Sequence, residues 1–362
     1  MKTQSPIINR QSEISASAPG SLMLLGEHAV LHGRRAMVCA INKRITVALS
    51  QIKQPVLRIV SDLGAYEAPL GALKDHPDFH FVLDAVRQYS PEQGIELKIE
   101  SEFSSDIGFG SSAAVTVATH AALMQRVEPD RRAGFKMELF KRSLATIHRV
   151  QGRGSGADVA ASVFGGVVAY RAEPLEIQQV GADVQNVEQA SRLLSASGRS
   201  TKGEKRAGRS FYFPLTAVYS GAKMKTADVI RLVEERRALN PEYFERIFDR
   251  MDASVGEVIQ AAEVERDRRA RLERDRRSRS TQNQTTFLEC LGRNLILNQK
   301  LMEEMGLCNA ALAEIIGEFQ SLEVPAKISG SGLGDCAIGL GDFPTIGKFQ
   351  TYSLKVDPCG FL

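Results

Sequence analysis

The chain has no tryptophan, six histidines and five cysteines, and its charges nearly cancel, at a formal +3 over 362 residues. Each shortage excludes something. The cysteines at 39, 290, 308, 336 and 359 are odd in number and widely spaced, with no C-x-x-C pair. Neither a disulfide framework nor a zinc or thiol-redox site is expected, and a reduced cytoplasm fits best. Near-balanced charge removes the basic surplus with which nucleic-acid binders neutralise phosphates, so nucleic acid is not an expected partner. The N-terminal stretch MKTQSPIINRQSEISAS lacks an apolar core of leader length, and no run reaches the roughly 18–20 apolar residues of a membrane span. Membrane partners are not expected either. No repeat of solenoid length is visible.

What is present suffices for a large core: 43% of residues are hydrophobic, and a chain of this length commonly forms two domains. Residues 22–25 form a short apolar run, 36–50 a strand-like stretch rich in β-branched residues, and 95–100 (IELKIE) alternate with strict period two. An Ala-rich helix is expected from Ser112, and another over 136–150. A strand at 211–219, helices between 226 and 320 and a strand at Cys336–Leu340 follow, which makes the fold class α+β. Residues 191–210, poor in apolar side chains and rich in Ser, Gly, Lys and Arg, read as a mobile basic linker between domains at 1–190 and 211–362. The charged segment 263–280 places Glu265/Arg269, Asp267/Arg271 and Glu273/Arg277 at i,i+4 with the acid first. That spacing favours an exposed helix; a docking site for an acidic partner is the other reading.

Glycine marks the chemistry. In Ile107-Gly108-Phe109-Gly110-Ser111-Ser112-Ala113-Ala114 two glycines precede two serines where the helical pattern begins. Free backbone N–H groups and the positive helix end can hold a polyphosphate there, and a serine hydroxyl can help ligate Mg²⁺. The spacing is neither that of a P-loop nor of a dinucleotide fingerprint. A purely structural helix cap would look the same.

Three further segments supply context. Ala18-Pro19-Gly20-Ser21 is followed by Gly26-Glu27-His28-Ala29-Val30-Leu31-His32-Gly33. Gly152-Arg153-Gly154-Ser155-Gly156-Ala157-Asp158 precedes an apolar stretch. Lys327-Ile328-Ser329-Gly330-Ser331-Gly332-Leu333-Gly334-Asp335-Cys336 lies near the end. With the 107–114 turn, in this order, the chain resembles the GHMP kinases, named for galactokinase, homoserine kinase, mevalonate kinase and phosphomevalonate kinase. The GEHAV-x-HG form is most like the mevalonate branch, and the resemblance spans nearly the whole chain.

The resemblance implies a two-domain α+β architecture, with an N-terminal domain like the second domain of ribosomal protein S5 and a ferredoxin-like C-terminal domain. It also implies transfer of the ATP γ-phosphate to a small alcohol in the cleft. By that resemblance Gly108, Gly110, Ser111, Ser112 and Ala113 hold ATP, Ser112 ligates Mg²⁺, and Asp158 takes the acceptor proton. Glu27, His28, Ser155, Gly330 and Ser331 then line the substrate side. Without it, Asp158 would read as a helix cap and His28 as a packed core residue.

Three departures bear on the substrate. Ser21 stands where mevalonate kinases carry the lysine of A-P-G-K, which removes a cation and makes Lys223 or Lys225 a candidate substitute. Ile147 stands where a metal-assisting glutamate is usual, leaving Mg²⁺ to Ser112. The Gly-Ser-Gly-Ala-Asp run and the Gly334-Asp335-Cys336 ending are more like phosphomevalonate kinases. Mevalonate is the expected acceptor and phosphomevalonate the alternative, which would demand a cluster drawn from Arg149, Arg153, Lys223 and Lys225. A sensor that binds nucleotide without turnover is the alternative of another class. A homodimer is left open.

Overall fold

The computed structural model describes residues 13–128, 134–181, 213–274 and 287–362, with the side chains of 269–274 left out. The expected linker at 191–210 lies outside them, as does Arg277, and Arg269 and Arg271 fall among the residues without described side chains.

The first half builds one sheet with helices on one face. Strand β1 (Ile14–Leu25) pairs antiparallel with the long β2 (Ala36–Gln51), with register shifts between Pro19/Ser21 and Met23/Leu25. The hairpin β3 (Val56–Ser61) and β4 (Gly64–Pro69), then β5 (Ile95–Ser101), β6 (Val167–Arg171) and β7 (Glu176–Val180), complete the order β4-β3-β5-β2-β6-β7, with β1 on β2. Helices α1 (His80–Tyr89), α2 (Ser111–Val127), α3 (Phe135–Gln151) and α4 (Ala157–Phe164) cover it.

The second half gives an antiparallel sheet of β8 (Pro214–Tyr219), β9 (Ala326–Ser329), β10 (Cys336–Leu340) and β11 (Thr351–Lys355) in the order β11-β8-β10-β9. Fourth, first, third, second is a ferredoxin-like order. Its first connection carries α5 (Thr226–Leu239), α6 (Pro241–Arg274), α7 (Phe287–Glu304) and α8 (Ala310–Ser321), while its last, residues 341–350, has no helix. The charged segment is helical through Arg274, within the 34-residue α6. No described helix is long and apolar enough to cross a membrane.

Successive strand residues point to opposite faces. In β2, Ala36, Val38 and Ala40 join the core under α1–α4, whereas Met37, Cys39 and Ile41 join a second core. In β8 and β10, Leu215, Ala217, Cys336 and Ile338 meet that same core, and Val218 and Ala337 turn to a third one under α5–α8. The two sheets therefore share apolar side chains. Strands buried on both faces read as continuous apolar runs, which is why 36–41 shows no alternation.

The C-terminal residues return to the first sheet. Val356 bridges Ile41, Asp357 N–H donates to the Ala40 carbonyl at 2.9 Å, and Leu362 and Ser17 exchange backbone bonds at 2.7 and 2.8 Å. Arg44 and Asp357 pair beside them.

Candidate active site

The turn before α2 is shaped to leave donors free. The first hydrogen bond of the helix runs from Ala114 N–H to the Gly110 carbonyl at 3.0 Å, and no side chain caps the end. Ser111, Ser112 and Ala113 thus present N–H groups that a helix cannot satisfy internally, at the positive end of its dipole. Gly110 adopts φ 67° and Gly108 φ 76°, a region costly for any residue with a Cβ. Space adds a second constraint: a Cβ on Gly110 would fall on the Ser21 hydroxyl, and one on Gly108 would lie 2.9 Å from Cβ of Asp335.

Asp158 sits in the first turn of α4, but Gly156 is the N-cap and no side chain caps that helix. The carboxylate is instead held from across the sheet, where Ser21 Oγ donates to Asp158 Oδ1 at 2.8 Å. Ser21 thereby touches both the nucleotide-type turn and the carboxylate. Burial pushes the Asp158 carboxyl above its ordinary range; the Ser21 bond opposes this and the Glu27 charge adds to it. Among the described residues Asp158 has no ion-pair partner.

Glu27 and His28 are tied into the protein. Glu27 is 3% exposed and pairs with the fully buried Lys327 of β9, while its Oε2 accepts from Asn298 Nδ2 at 2.9 Å. Asn298 Oδ1 also accepts from Gly26 N–H at 3.1 Å. His28, in a left-handed conformation at φ 59°, contacts the Ser331 carbonyl through Nε2 at 2.8 Å, so that nitrogen is the donor. Burial lowers its pKa, which keeps the ring neutral. Together these contacts clamp the end of β1 onto the second sheet. The sequence reading assigned no role to Lys327 or Asn298; the only local signal for Asn298 is a polar residue on the buried side of an amphipathic helix.

The 329–336 turn faces the 107–114 turn. Asp335 is 7% exposed at φ 59°, fixed by its own N–H to the Ala222 carbonyl at 2.8 Å and by Ser220 N–H to its carbonyl at 2.9 Å. Its Oδ1 and the Ser331 hydroxyl are buried without a hydrogen-bond partner among the described residues. Such atoms are rare in native proteins and call for a ligand or water. Gly330 opens toward the same carboxylate, since a Cβ there would stand 3.8 Å from Oδ2.

Other candidates are placed apart or engaged locally. Ser155 Oγ accepts from Ala157 N–H at 3.2 Å. Ile147 is buried under the 152–156 turn, close to Gly154, and offers no oxygen. Arg149 is held by Asp84 at 2.9 Å on the outer side of α3. Arg153 and Lys225 are exposed. Lys223 donates to the Ser105 carbonyl at 2.7 Å and lies near enough to favour the charged form of Asp335, which burial disfavours. Of the four basic candidates, two are thus engaged by other groups and two face solvent.

The hydroxyl of Ser112 and the orphaned oxygen of Asp335 are hard donors of the kind Mg²⁺ takes alongside phosphate oxygens. The residues present therefore fit a magnesium–nucleotide complex.

Comparison with known proteins bears on the same segments. The family model described as GHMP kinases N terminal domain matches residues 79–166, and the GHMP kinases C terminal model matches 283–350. A model described as the galactokinase galactose-binding signature matches 7–51. A mevalonate kinase of Archaeoglobus fulgidus is 30% identical over 90% of this chain and 91% of its own. The structure of L. major mevalonate kinase in complex with R-mevalonate superposes at TM-score 0.69 with 18% identity, covering 98% of this chain and 99% of that one. Streptococcus pneumoniae phosphomevalonate kinase in complex with phosphomevalonate and AMPPNP superposes at 0.62 with 18% identity, covering 91% and 92%. The superposed structures and the two family models agree on the two-domain fold, and the chain belongs to the GHMP kinases, a family of small-molecule kinases.

Proposed function

We propose that this kinase phosphorylates the primary hydroxyl of mevalonate, with ATP as donor. One observation carries the reading: Asp158, a buried carboxylate with no ion-pair partner among the described residues, is joined through Ser21 to the turn that presents three N–H groups unused by the helix. The relatives' names supply the acceptor.

In this reading the N–H groups of Ser111, Ser112 and Ala113 bind the ATP phosphates, and Gly108 and Gly110 let them approach the backbone. The acceptor hydroxyl lies against Asp158. As its oxygen attacks the γ-phosphorus, the proton passes to the Asp158 carboxylate, the bond to the β-phosphate oxygen breaks, and ADP leaves. The raised pKa of Asp158 suits this task, because a base works best when its pKa approaches the working pH. The clamp of Glu27, Lys327, Asn298 and His28 keeps the walls in register, so that little is reorganised during reaction. Mg²⁺ held by Ser112 would supply charge neutralisation on the phosphates.

The Gly334-Asp335-Cys336 ending keeps 5-phosphomevalonate as a second reading. Against it stands the engagement of Arg149 by Asp84 and of Lys223 by the Ser105 carbonyl, since a second phosphate needs cations free to converge on it. The five free cysteines agree with a cytoplasmic location. The test is ADP release with ATP and Mg²⁺, offering mevalonate and 5-phosphomevalonate separately. Turnover of mevalonate supports the proposal; turnover of phosphomevalonate alone, or ATP binding with turnover of neither, contradicts it.

A further inference from the structure

We infer that Asp335 is the carboxylate ligand of the divalent cation that enters with the nucleotide, acting beside Ser112. The inference rests on the nucleotide reading above and adds a residue to it. It starts from an electrostatic mismatch. A Cβ on Gly108 would lie 3.2 Å from Asp335 Cγ and 3.5 Å from its Oδ1, so the carboxylate stands against the turn that leads into the free N–H groups of α2. An anion so placed repels a polyphosphate unless a cation lies between them.

Among the described residues no protein group fills that role. Among the described residues Asp335 makes no ion pair, and its Oδ1 accepts no hydrogen bond although the residue is 7% exposed. The nearby Asp158 carboxylate makes the imbalance larger, and Lys223, directed to the Ser105 carbonyl, moderates it without contact. The backbone bonds to Ala222 and Ser220 fix the main chain from which the Asp335 carboxylate projects toward Gly108. No group of three or more acidic, histidine or cysteine side chains among the described residues could cage a metal alone. That agrees with a Mg²⁺ ion held by one carboxylate, a hydroxyl, phosphate oxygens and water.

The test uses Asp335→Asn, because asparagine tolerates the left-handed conformation. Binding of a non-hydrolysable ATP analogue is measured by calorimetry with Mg²⁺ and with metal removed by chelation. The expected result is a loss of about tenfold or more in Mg²⁺-supported affinity, the scale at which even outer groups of metal sites act, with metal-free affinity kept or improved. Asp335→Cys should in addition bind the analogue more tightly with Cd²⁺ than with Mg²⁺, since a thiolate prefers the softer ion. Unchanged Mg²⁺-supported affinity in Asp335→Asn, or no preference for Cd²⁺ in Asp335→Cys, overturns the inference and leaves the kinase reading intact. Absence of nucleotide binding by the unaltered protein overturns both.

Discussion

Two sets of buried charges bridge the same two sheets, and they are resolved in opposite ways. Glu27 at the end of β1 meets Lys327 of β9, with Asn298 taking the second carboxylate oxygen, so each charge is neutralised where it stands. Asp158 on α4 and Asp335 just before β10 are pushed upward in pKa by burial, yet among the described residues neither pairs with a cation, and the Ser21 hydroxyl stands between Asp158 and the glycine turn. A satisfied pair holds domains together. In the proposed reading, carboxylates without a cation keep their capacity for a substrate proton and a metal ion, and the protein bears the desolvation until those arrive.

The contrast can be broken at either end, and the largest effect is expected at the working end. Asp158→Asn should reduce kcat by about 10²–10⁴-fold, the contribution typical of a positioned proton acceptor, as measured by ADP release at saturating acceptor. Next comes the satisfied pair. Lys327→Met strands a buried carboxylate and should cost about 3–5 kcal/mol in denaturant unfolding, whereas adding Glu27→Gln to it should restore most of the loss. Gly110→Ala should then cost about 1–2 kcal/mol for the left-handed backbone alone and displace Ser21, raising KM for ATP and lowering kcat together. Smallest is Ser21→Ala. The lost hydroxyl favoured ionised Asp158, so the acid limb of the kcat–pH profile should move upward by up to about one unit, the low end for a bond to a charged group.

These predictions mark what could and could not be read along the chain. Strand β5 alternates and helix α3 has helical spacing, β2 shows in its β-branched residues and α2 in its alanines, and glycine turns with adjacent hydroxyls or acids mark the phosphate-type loop and Asp158. Strand β1 was only partly legible, because Pro19-Gly20 and two register shifts interrupt a run that becomes one strand only against β2. Strand β3 and the edge strands β4 and β11 were not read at all, since their alternation is short and half exposed. Partnerships were the least legible. Glu27 and Lys327 stand 300 positions apart, and no spacing rule reports a contact made by two sheets closing on one another. The isolation of Asp335 is equally a property of the assembled cleft.

In the proposed reading Asp158 serves catalysis at a cost in stability, because burial disfavours its charged form. Its folded pKa lies above the unfolded value, so the folded chain binds more protons between the two. Stability therefore falls as pH rises through that window, and the penalty is fully present above the folded pKa. The decisive measurement is the melting temperature of Asp158→Asn at neutral pH beside its turnover on the same sample. The account predicts a melting temperature equal to or above that of the unaltered protein with turnover nearly abolished. A lowered melting temperature with turnover preserved would make Asp158 a structural residue and contradict it.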